Sequence, residues 1–114
     1  MDDFINYFKV KYITQVPNNS SPPKGSNVIV HYTGTFPDSG IKFDSSRDRK
    51  SPFQFNLGKG QVIKCWDAVV GIMKKGERVQ FRCPYHTAYG ERGAGRVIPP
   101  RTDLDFDVEL IDFN

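Results

Sequence analysis

Hydrophobic and polar residues alternate along several stretches of this chain, with the two-residue period of a β-strand that packs one face against a core. Phe8, Val10 and Tyr12 alternate with lysines and predict a first strand near residues 6–16. A second predicted strand runs from Val28 to about Phe36 and has apolar residues on both faces. That pattern is typical of a strand near the centre of a sheet.

Three further strands are predicted in the same way. A short one contains Phe53 and Phe55, another runs from Val79 to Cys83, and the clearest alternation is LDFDVEL at residues 104–110. The alternation breaks after Leu110, where apolar Ile111 indicates either a β-bulge or a strand end that is covered on both sides. The pattern does not decide between these two.

One stretch has the three- and four-residue spacing of a helix that buries one face. Its apolar residues are Val62, Trp66, Val69, Val70 and Met73. Lys74, Lys75 and Gly76 predict the end of this helix, which is the only one that the pattern predicts. An isolated helix of fewer than about 12 residues is marginal in water, so a sheet must support it. The predicted fold class is therefore α+β, with an antiparallel sheet of about five strands.

Composition restricts the class of protein. The chain has 114 residues, 38% of them apolar, which suits one domain and excludes a disordered chain. Residues 17–25 are rich in Pro, Ser and Asn and form a loop, too short for a linker between domains. No stretch approaches the roughly 18 apolar residues of a membrane helix, and the acidic start of the chain is unlike a signal peptide. We therefore expect a soluble, cytoplasmic protein with no membrane partner.

Charge adds little. The 16 basic and 13 acidic residues give a net charge of +3, and the basic residues are scattered rather than gathered into a stripe. Nucleic acid is thus not an expected partner. A serine hydrolase triad is disfavoured because the motif around its nucleophile is missing, and the glycines at 90, 93 and 95 do not open a helix as a phosphate-binding loop would.

The two cysteines, Cys65 and Cys83, lie 18 positions apart with no CxxC spacing. Only His31 and His86 could join them as metal ligands, so no metal site is predicted. We expect two buried, reduced thiols rather than a disulfide, although the sequence cannot measure how close they lie in space.

Six separated motifs in one order resemble the FKBP-type peptidyl-prolyl cis-trans isomerases, the immunophilins that bind tacrolimus and rapamycin. The motifs are VHYTG (30–34), FDSSRDR (43–49), VI with WD (62–67), AYG (88–90), IPP (98–100) and LDFDVEL (104–110). The likeness covers about residues 8–113. It implies a curved antiparallel sheet of five or six strands wrapped around one short helix, in a domain spanning 8–114. Residues 1–7 form an extension without a family counterpart, and the sequence does not say whether they are ordered.

The resemblance also implies a binding pocket. Its residues would be Tyr32, Phe43, Asp44, Arg49, Phe53, Val62, Ile63, Trp66, Tyr89, Ile98 and Phe106. In this interpretation Trp66 is the floor, while the Ile63 backbone N–H and the Tyr89 hydroxyl bind carbonyl groups of the ligand. Without the resemblance, each aromatic residue would be interpreted as ordinary core.

The implied catalytic residues are Asp44, Tyr89, Phe43 and Tyr32. Asp44 would act on the rotating carbonyl by electrostatics, without proton transfer. A second interpretation of Asp44 is structural, because bonds from Tyr32 and Arg49 to its carboxylate would fix a loop.

The resemblance predicts an isomerase of Xaa-Pro bonds that acts on proline-containing peptides and unfolded proteins, needs no cofactor, and binds macrolides as a monomer. A protein partner could dock through a bound macrolide beside Lys50, Arg92 and Arg96. The alternative is a proline-recognition or partner-binding module with little turnover. Cys65 stands where the family commonly has glycine, and the rim loop Glu91–Val97 differs from relatives, so substrate preference and macrolide affinity do not follow from the resemblance.

Overall fold

The computed structural model describes residues 2–114, and the side chains of residues 5–114. Its helices and strands, in chain order, are α1 (Asp2–Tyr7), β1 (Lys11–Thr14), β2 (Asn27–Thr35), β3 (Lys42–Ser45), β4 (Phe53–Asn56), α2 (Lys64–Ile72), β5 (Arg78–Cys83) and β6 (Leu104–Phe113). A single 3₁₀ turn, Tyr85–Thr87, lies between β5 and β6.

The six strands form one open antiparallel sheet. Neighbouring strands follow the order β1-β5-β6-β2-β3, and β4 also pairs with β2. Strand β2 is central, as its apolar residues on both faces predicted, because it pairs with β6 on one side and with β3 and β4 on the other. Helix α2 packs its Trp66, Val69 and Val70 into the same buried cluster as the inward residues of the strands. The predicted α+β fold, with five or six antiparallel strands and one short core helix, is confirmed.

The predicted first strand, residues 6–16, is wrong over its N-terminal part. The chain is helical to Tyr7, and β1 covers only Lys11–Thr14. Lys9 has a φ of +51°, which no strand residue adopts, and the Val10 N–H donates to the Ile5 carbonyl as α1 ends. The stretch that contains Phe8, Val10 and Tyr12 is therefore a turn that leads into a short strand.

The second helix also differs from its prediction at the C-terminal end. It ends at Ile72, and Met73 already has extended backbone angles, so Lys74 and Lys75 are outside its last turn. The buried Glu77 explains this, because its carboxylate accepts the Lys74 N–H at 2.9 Å and draws the chain away from the helix axis. Gly76 does take a positive φ, +91°, but in the turn that precedes β5.

The change of phase near the C-terminus is a β-bulge. Strand β6 continues to Phe113, and its register against β2 shifts between Ile29, which faces Asp112, and Val30, which faces Leu110. Ile111 is the extra residue, and its side chain is exposed. Of the two alternatives that the sequence left open, the structure selects the bulge.

The prediction of two reduced cysteines is wrong. Cys65, in the first turn of α2, and Cys83, the last residue of β5, form a disulfide with a Cα–Cα distance of 5.7 Å. Their separation of 18 residues along the chain gave no information about this distance, because the helix folds back onto the sheet between them. Both residues are completely buried.

Two features are absent from residues 2–114. No helix there is both long enough and apolar enough to cross a bilayer. No three His, Cys, Asp or Glu side chains converge there as a metal site requires.

Candidate functional site

A cavity of about 150 Å³ opens between the start of α2 and the inner face of the sheet. Its lining residues are Tyr32, Phe43, Asp44, Phe53, Gln61, Val62, Ile63, Trp66, Tyr89 and Phe106. Strands β2, β3, β4 and β6 contribute five of these, the segment into α2 contributes four, and the chain after the 3₁₀ turn contributes Tyr89.

The walls are aromatic rings that hold one another in place. Trp66 is 4% exposed, and its ring centroid lies 4.9 Å from that of Tyr32 and 5.3 Å from that of Phe106, both edge to face. Phe53 and Tyr89 are 36% and 44% exposed, so they form the rim. Edge-to-face packing of large rings makes a rigid apolar wall around the cavity.

Gly34 lets two of these rings approach the central strand. A Cβ atom on Gly34 would lie 2.5 Å from Cζ of Phe43 and 2.9 Å from Cε1 of Phe106, well inside van der Waals contact. Any other residue would therefore push those rings out of their positions. Nothing in the spacing of the sequence signals this requirement.

Asp44 is the one ionised side chain in the lining, and donors surround it. Its Oδ2 accepts the Tyr32 hydroxyl at 2.5 Å, and its Oδ1 accepts the backbone N–H of Ser45 at 2.9 Å and Nη1 of Arg49. A second Arg49 nitrogen, Nη2, donates to the Tyr32 hydroxyl oxygen at 3.0 Å. Asp44, Tyr32 and Arg49 thus form a closed triangle at one edge of the cavity.

This triangle keeps Asp44 charged and the tyrosines neutral. Burial would raise the pKa of Asp44, but hydrogen bonds from Tyr32 and Arg49, with the charge of Arg49, outweigh it and hold that pKa below its usual value. Burial, and then the hydrogen bond to Asp44, raise the pKa of Tyr32. Burial, and then the charge of Asp44, raise the pKa of Tyr89.

Two lining residues carry free hydrogen-bond donors. Within residues 2–114, neither the backbone N–H of Ile63 nor the hydroxyl of Tyr89 has a hydrogen-bond partner. The buried Nε1 of Trp66 also lacks a partner in the described part of the chain. An apolar cavity with unpaired donors at its edge can hold a ligand whose apolar ring enters and whose carbonyl groups face those donors.

The structure brings nine of the eleven predicted pocket residues together around this cavity. Arg49 and Ile98 lie outside the lining: Arg49 acts on the site through Asp44 and Tyr32, and Ile98 is buried in the core. Gln61 is in the lining without having been predicted. Its Oε1 accepts the Asn56 N–H at 2.8 Å, which fixes the turn before α2, and no sequence signal marks this contact.

A larger open groove, of about 650 Å³, lies on the other face of the sheet. Its lining is strongly polar: Arg78 is paired to Asp107 and Arg82 to Asp105, both at 2.7 Å, and Lys9 and Lys11 add two further charges. An open surface lined by so many charged groups cannot remove water from a substrate. We therefore place the site in the smaller aromatic cavity.

Comparisons with known proteins give the family of the chain. The model of a family described as FKBP-type peptidyl-prolyl cis-trans isomerase matches residues 18–111. The chain is 49% identical to peptidyl-prolyl cis-trans isomerase Fkbp12 of Drosophila melanogaster, over 90% of this chain and 95% of that protein. It is 55% identical to FK506-binding protein 1 of Dictyostelium discoideum, over 81% and 85% of the two chains. FK506-binding protein 1 of Kluyveromyces lactis is 48% identical, over 92% of this chain and 93% of the relative.

Proposed function

This chain belongs to the FKBP-type peptidyl-prolyl cis-trans isomerases, enzymes that accelerate rotation about Xaa-Pro bonds, and we propose that it holds the twisted amide in its aromatic cavity. The single observation that supports this mechanism is the arrangement of the cavity. Buried rings line it, Trp66 closes it, and unpaired donors stand at Ile63 and Tyr89.

The physical reason lies in the amide itself. Resonance between nitrogen and carbonyl produces a rotation barrier of about 18–20 kcal/mol, and rotation abolishes that resonance. The planar amide is the more polar form, so water stabilises it more than an apolar cavity does. Transfer into the cavity therefore favours the twisted amide by comparison. This chemistry needs neither a nucleophile nor a cofactor.

Desolvation alone is too weak to account for the whole rate acceleration. An acceleration of about a million-fold requires the barrier to fall by about 8 kcal/mol. We assign part of this to the Ile63 N–H and the Tyr89 hydroxyl, which bind carbonyl groups on either side of the proline. Donors that are already in place hold the carbonyl groups that flank the proline, so the amide twists within a fixed frame and the protein does not have to reorganise.

Asp44, Tyr32, Phe43 and Tyr89 are the residues to which we assign catalytic roles. Asp44 is ionised and already accepts three hydrogen bonds, which fits an electrostatic effect on the rotating carbonyl and not proton transfer. The same hydrogen bonds support a scaffold role, in which Asp44 fixes Tyr32 and Arg49 beside the cavity. The two roles are separable, because only the first lowers kcat when the charge is removed but the geometry is kept.

We propose proline-containing peptides and unfolded proteins as substrates, with an apolar residue before the proline because the exposed rings of Phe53 and Tyr89 form the rim. Two of the relatives above are named FK506-binding proteins, and we propose that macrolides of this kind occupy the same cavity. We propose that a bound macrolide, together with Lys50, Arg92 and Arg96, would then present a surface to a protein partner.

We also propose that the protein acts as a monomer in the cytoplasm, without nucleic acid or membrane partners. The Cys65–Cys83 disulfide is an observation against a cytosolic location, since cytosolic thiols are kept reduced. Cell fractionation with rapid alkylation of free thiols decides the compartment and the redox state together, and sedimentation decides the oligomeric state.

An NMR exchange assay on Leu-Pro and Phe-Pro peptides tests the enzyme against its alternative, a binding module. The enzyme collapses the cis and trans signals at substoichiometric concentration. A binder shifts those signals without faster exchange, and that result would contradict turnover.

Tyr89→Phe tests the assignment of the hydroxyl. Loss of one hydrogen bond should weaken macrolide binding about five- to tenfold without unfolding the protein. Tyr85→Phe is the matched control, because it removes a hydroxyl from the neighbouring 3₁₀ turn, outside the cavity lining. Equal macrolide affinity of Tyr89→Phe and the parent would show that this contact is not made.

A further inference from the structure

The disulfide joins two segments that carry residues of the proposed site. Cys65 precedes Trp66, the cavity floor, and follows Ile63 by two residues. Cys83 ends β5 and stands six residues before Tyr89. Both cysteines are fully buried, so the bond joins the segment that carries the floor to the strand that leads to the rim.

The two ends of this bond are fixed to different degrees. Cys83 is part of a hydrogen-bonded ladder, where it faces Leu104 of β6, and the N–H of the preceding Arg82 donates to the Phe8 carbonyl at 2.7 Å. The start of α2 has no side-chain cap. Its polar attachment is Asp67, which accepts the N–H groups of Gly58 at 2.9 Å and Gly60 at 3.4 Å. Of the two partners, the start of α2 is therefore the one held by fewer hydrogen bonds to the rest of the fold.

Reduction changes the space that the two sulfur atoms need. Thiols that are no longer bonded stand roughly 1.5 Å farther apart than bonded sulfurs, because they must reach van der Waals separation. Both cysteines are completely buried, and protein cores are close-packed, so the segments that carry the two thiols must supply this space. The start of α2 must then move away from β5, and Ile63 and Trp66 move with it.

We propose that the Cys65–Cys83 disulfide is a redox-sensitive positioning element of the isomerase site: the oxidised protein holds the cavity floor in place, and reduction lowers turnover. This inference rests on the proposed function. In the reaction, one dithiol gives two electrons and two protons to the disulfide, through a mixed disulfide. The products are two protein thiols and one oxidised dithiol.

Displacement of a binding wall by about 1 Å is enough to lower the rate of a positioned reaction severely. We expect kcat/KM on a Leu-Pro peptide to fall about tenfold on reduction, mainly through kcat, since the twisted amide depends most on the geometry of the floor. Cys65 and Cys83 act only through Trp66 and Ile63, and they touch no substrate.

The fluorescence of Trp66 can be used to follow this change. Trp66 is the single tryptophan, and it is the neighbour of a disulfide in sequence. A disulfide quenches the fluorescence of an adjacent indole, so reduction should raise the emission of Trp66. The experiment incubates the whole, folded protein with dithiothreitol and measures isomerase activity, Trp66 emission and free thiols on the same sample.

A tenfold loss of activity that accompanies two new thiols and brighter emission, and that reverses on reoxidation, is the expected result. Unchanged activity with two free thiols overturns the inference, as does failure to release thiols from the folded protein. Circular dichroism must show that the reduced form is folded, since a loss caused by unfolding would also overturn a positioning role. Inactivity of the oxidised protein has a different meaning, because it contradicts the proposed function itself.

Cys65→Ala/Cys83→Ala is the matched control variant. It has no bond to reduce and no sulfur atoms to crowd the core, so its activity should be the same with and without dithiothreitol. A loss in this variant equal to that of the parent would show that the reductant acts elsewhere, and the inference would fail.

Discussion

Gly34 sets how closely two rings of the cavity can approach the central strand, although its only special property is the absence of a side chain. Gly34→Ala places a Cβ atom 2.5 Å from the Phe43 ring, so Phe43 and Phe106 must both move. Overpacking of this kind costs about 1–3 kcal/mol of unfolding free energy. We expect urea denaturation to show this loss, together with a fall in macrolide affinity.

Gly71→Ala is the control for that substitution. Gly71 lies inside α2, and the nearest atom to a Cβ there is Cδ2 of Leu57, which follows β4, at an ordinary contact distance of 4.0 Å. Alanine favours a helix over glycine by up to about 1 kcal/mol, so this variant should be as stable as the parent or more so. If both variants lost stability equally, the close approach at Gly34 would not be the cause.

The low pKa of Asp44 predicts how the unfolding free energy depends on pH. Its pKa is lower in the folded protein than in the unfolded chain, so its stabilising effect is present above the unfolded pKa and is lost as the pH falls through the folded value. The free-energy difference between the parent and Asp44→Asn should be constant above about pH 5 and shrink in more acidic solution. Chemical denaturation at several pH values measures it.

Activity should depend on pH differently from stability. Asp44 stays ionised, and Tyr32 and Tyr89 stay neutral, across the physiological range. We expect kcat/KM to be flat between about pH 6 and pH 8. An inflection in that range would require a titrating group in the site that this geometry does not contain.

The residues of the site could be predicted only in part. Periodicity marks Trp66 and Phe106 as buried, but buried rings are usually core, and only the family resemblance assigned them to a cavity. The same resemblance placed Ile98 in the lining, where the structure does not. Gly34 and Gln61 were not predicted, because they matter through contacts with other segments of the chain.

Among the elements, α1 shows why the alternation of apolar and polar residues wrongly predicted a strand at the N-terminus. The alternation of Phe8, Val10 and Tyr12 is real, but Phe8 is buried beneath Tyr7, whose ring meets it edge on at 4.9 Å. The Tyr7 hydroxyl is hydrogen-bonded to Nε2 of His86, in the 3₁₀ turn. A turn can alternate in polarity as a strand does when a neighbouring helix covers one side of it.

A chain of residues 8–114 tests the predicted domain boundary. None of the α1 side chains that the structure describes, those of residues 5–7, lines the cavity, so we expect the shortened chain to fold and to keep kcat/KM within about twofold. Its melting temperature should fall, because Phe8 loses the cover of the Tyr7 ring and His86, in the 3₁₀ turn, loses its hydrogen bond with the Tyr7 hydroxyl. Thermal denaturation and the peptide assay on both chains measure this.

Tyr7→Phe in the full chain serves as the control for that deletion. It removes the hydroxyl but keeps the ring over Phe8, so its effect on the melting temperature should be smaller than that of the deletion. If the shortened chain failed to fold, α1 would have to be counted as part of the domain.

At the scale of the whole molecule, the sheet could be predicted, but the disulfide and the β-bulge could not. Alternation identifies the inner face of β5 and β6 because a strand's burial repeats every second residue, whatever its partner. The pairing of Cys65 with Cys83 depends instead on how α2 crosses that face. The bulge at Ile111 depends on the register between β6 and β2. Both follow from long-range packing, about which local spacing is silent.

The disulfide should also stabilise the whole fold, apart from any effect on turnover. It closes a loop of 18 residues, and a crosslink of this length removes unfolded-state entropy worth about 3 kcal/mol. We expect the reduced parent to have a lower urea midpoint than the oxidised parent. The corresponding loss of unfolding free energy should be about 2–4 kcal/mol. The two forms have the same side chains, so no cavity from deleted atoms contributes, and the movement of α2 that we propose on reduction would add to the difference. A difference below about 1 kcal/mol would show that packing of α2 on the sheet, and not the crosslink, limits unfolding.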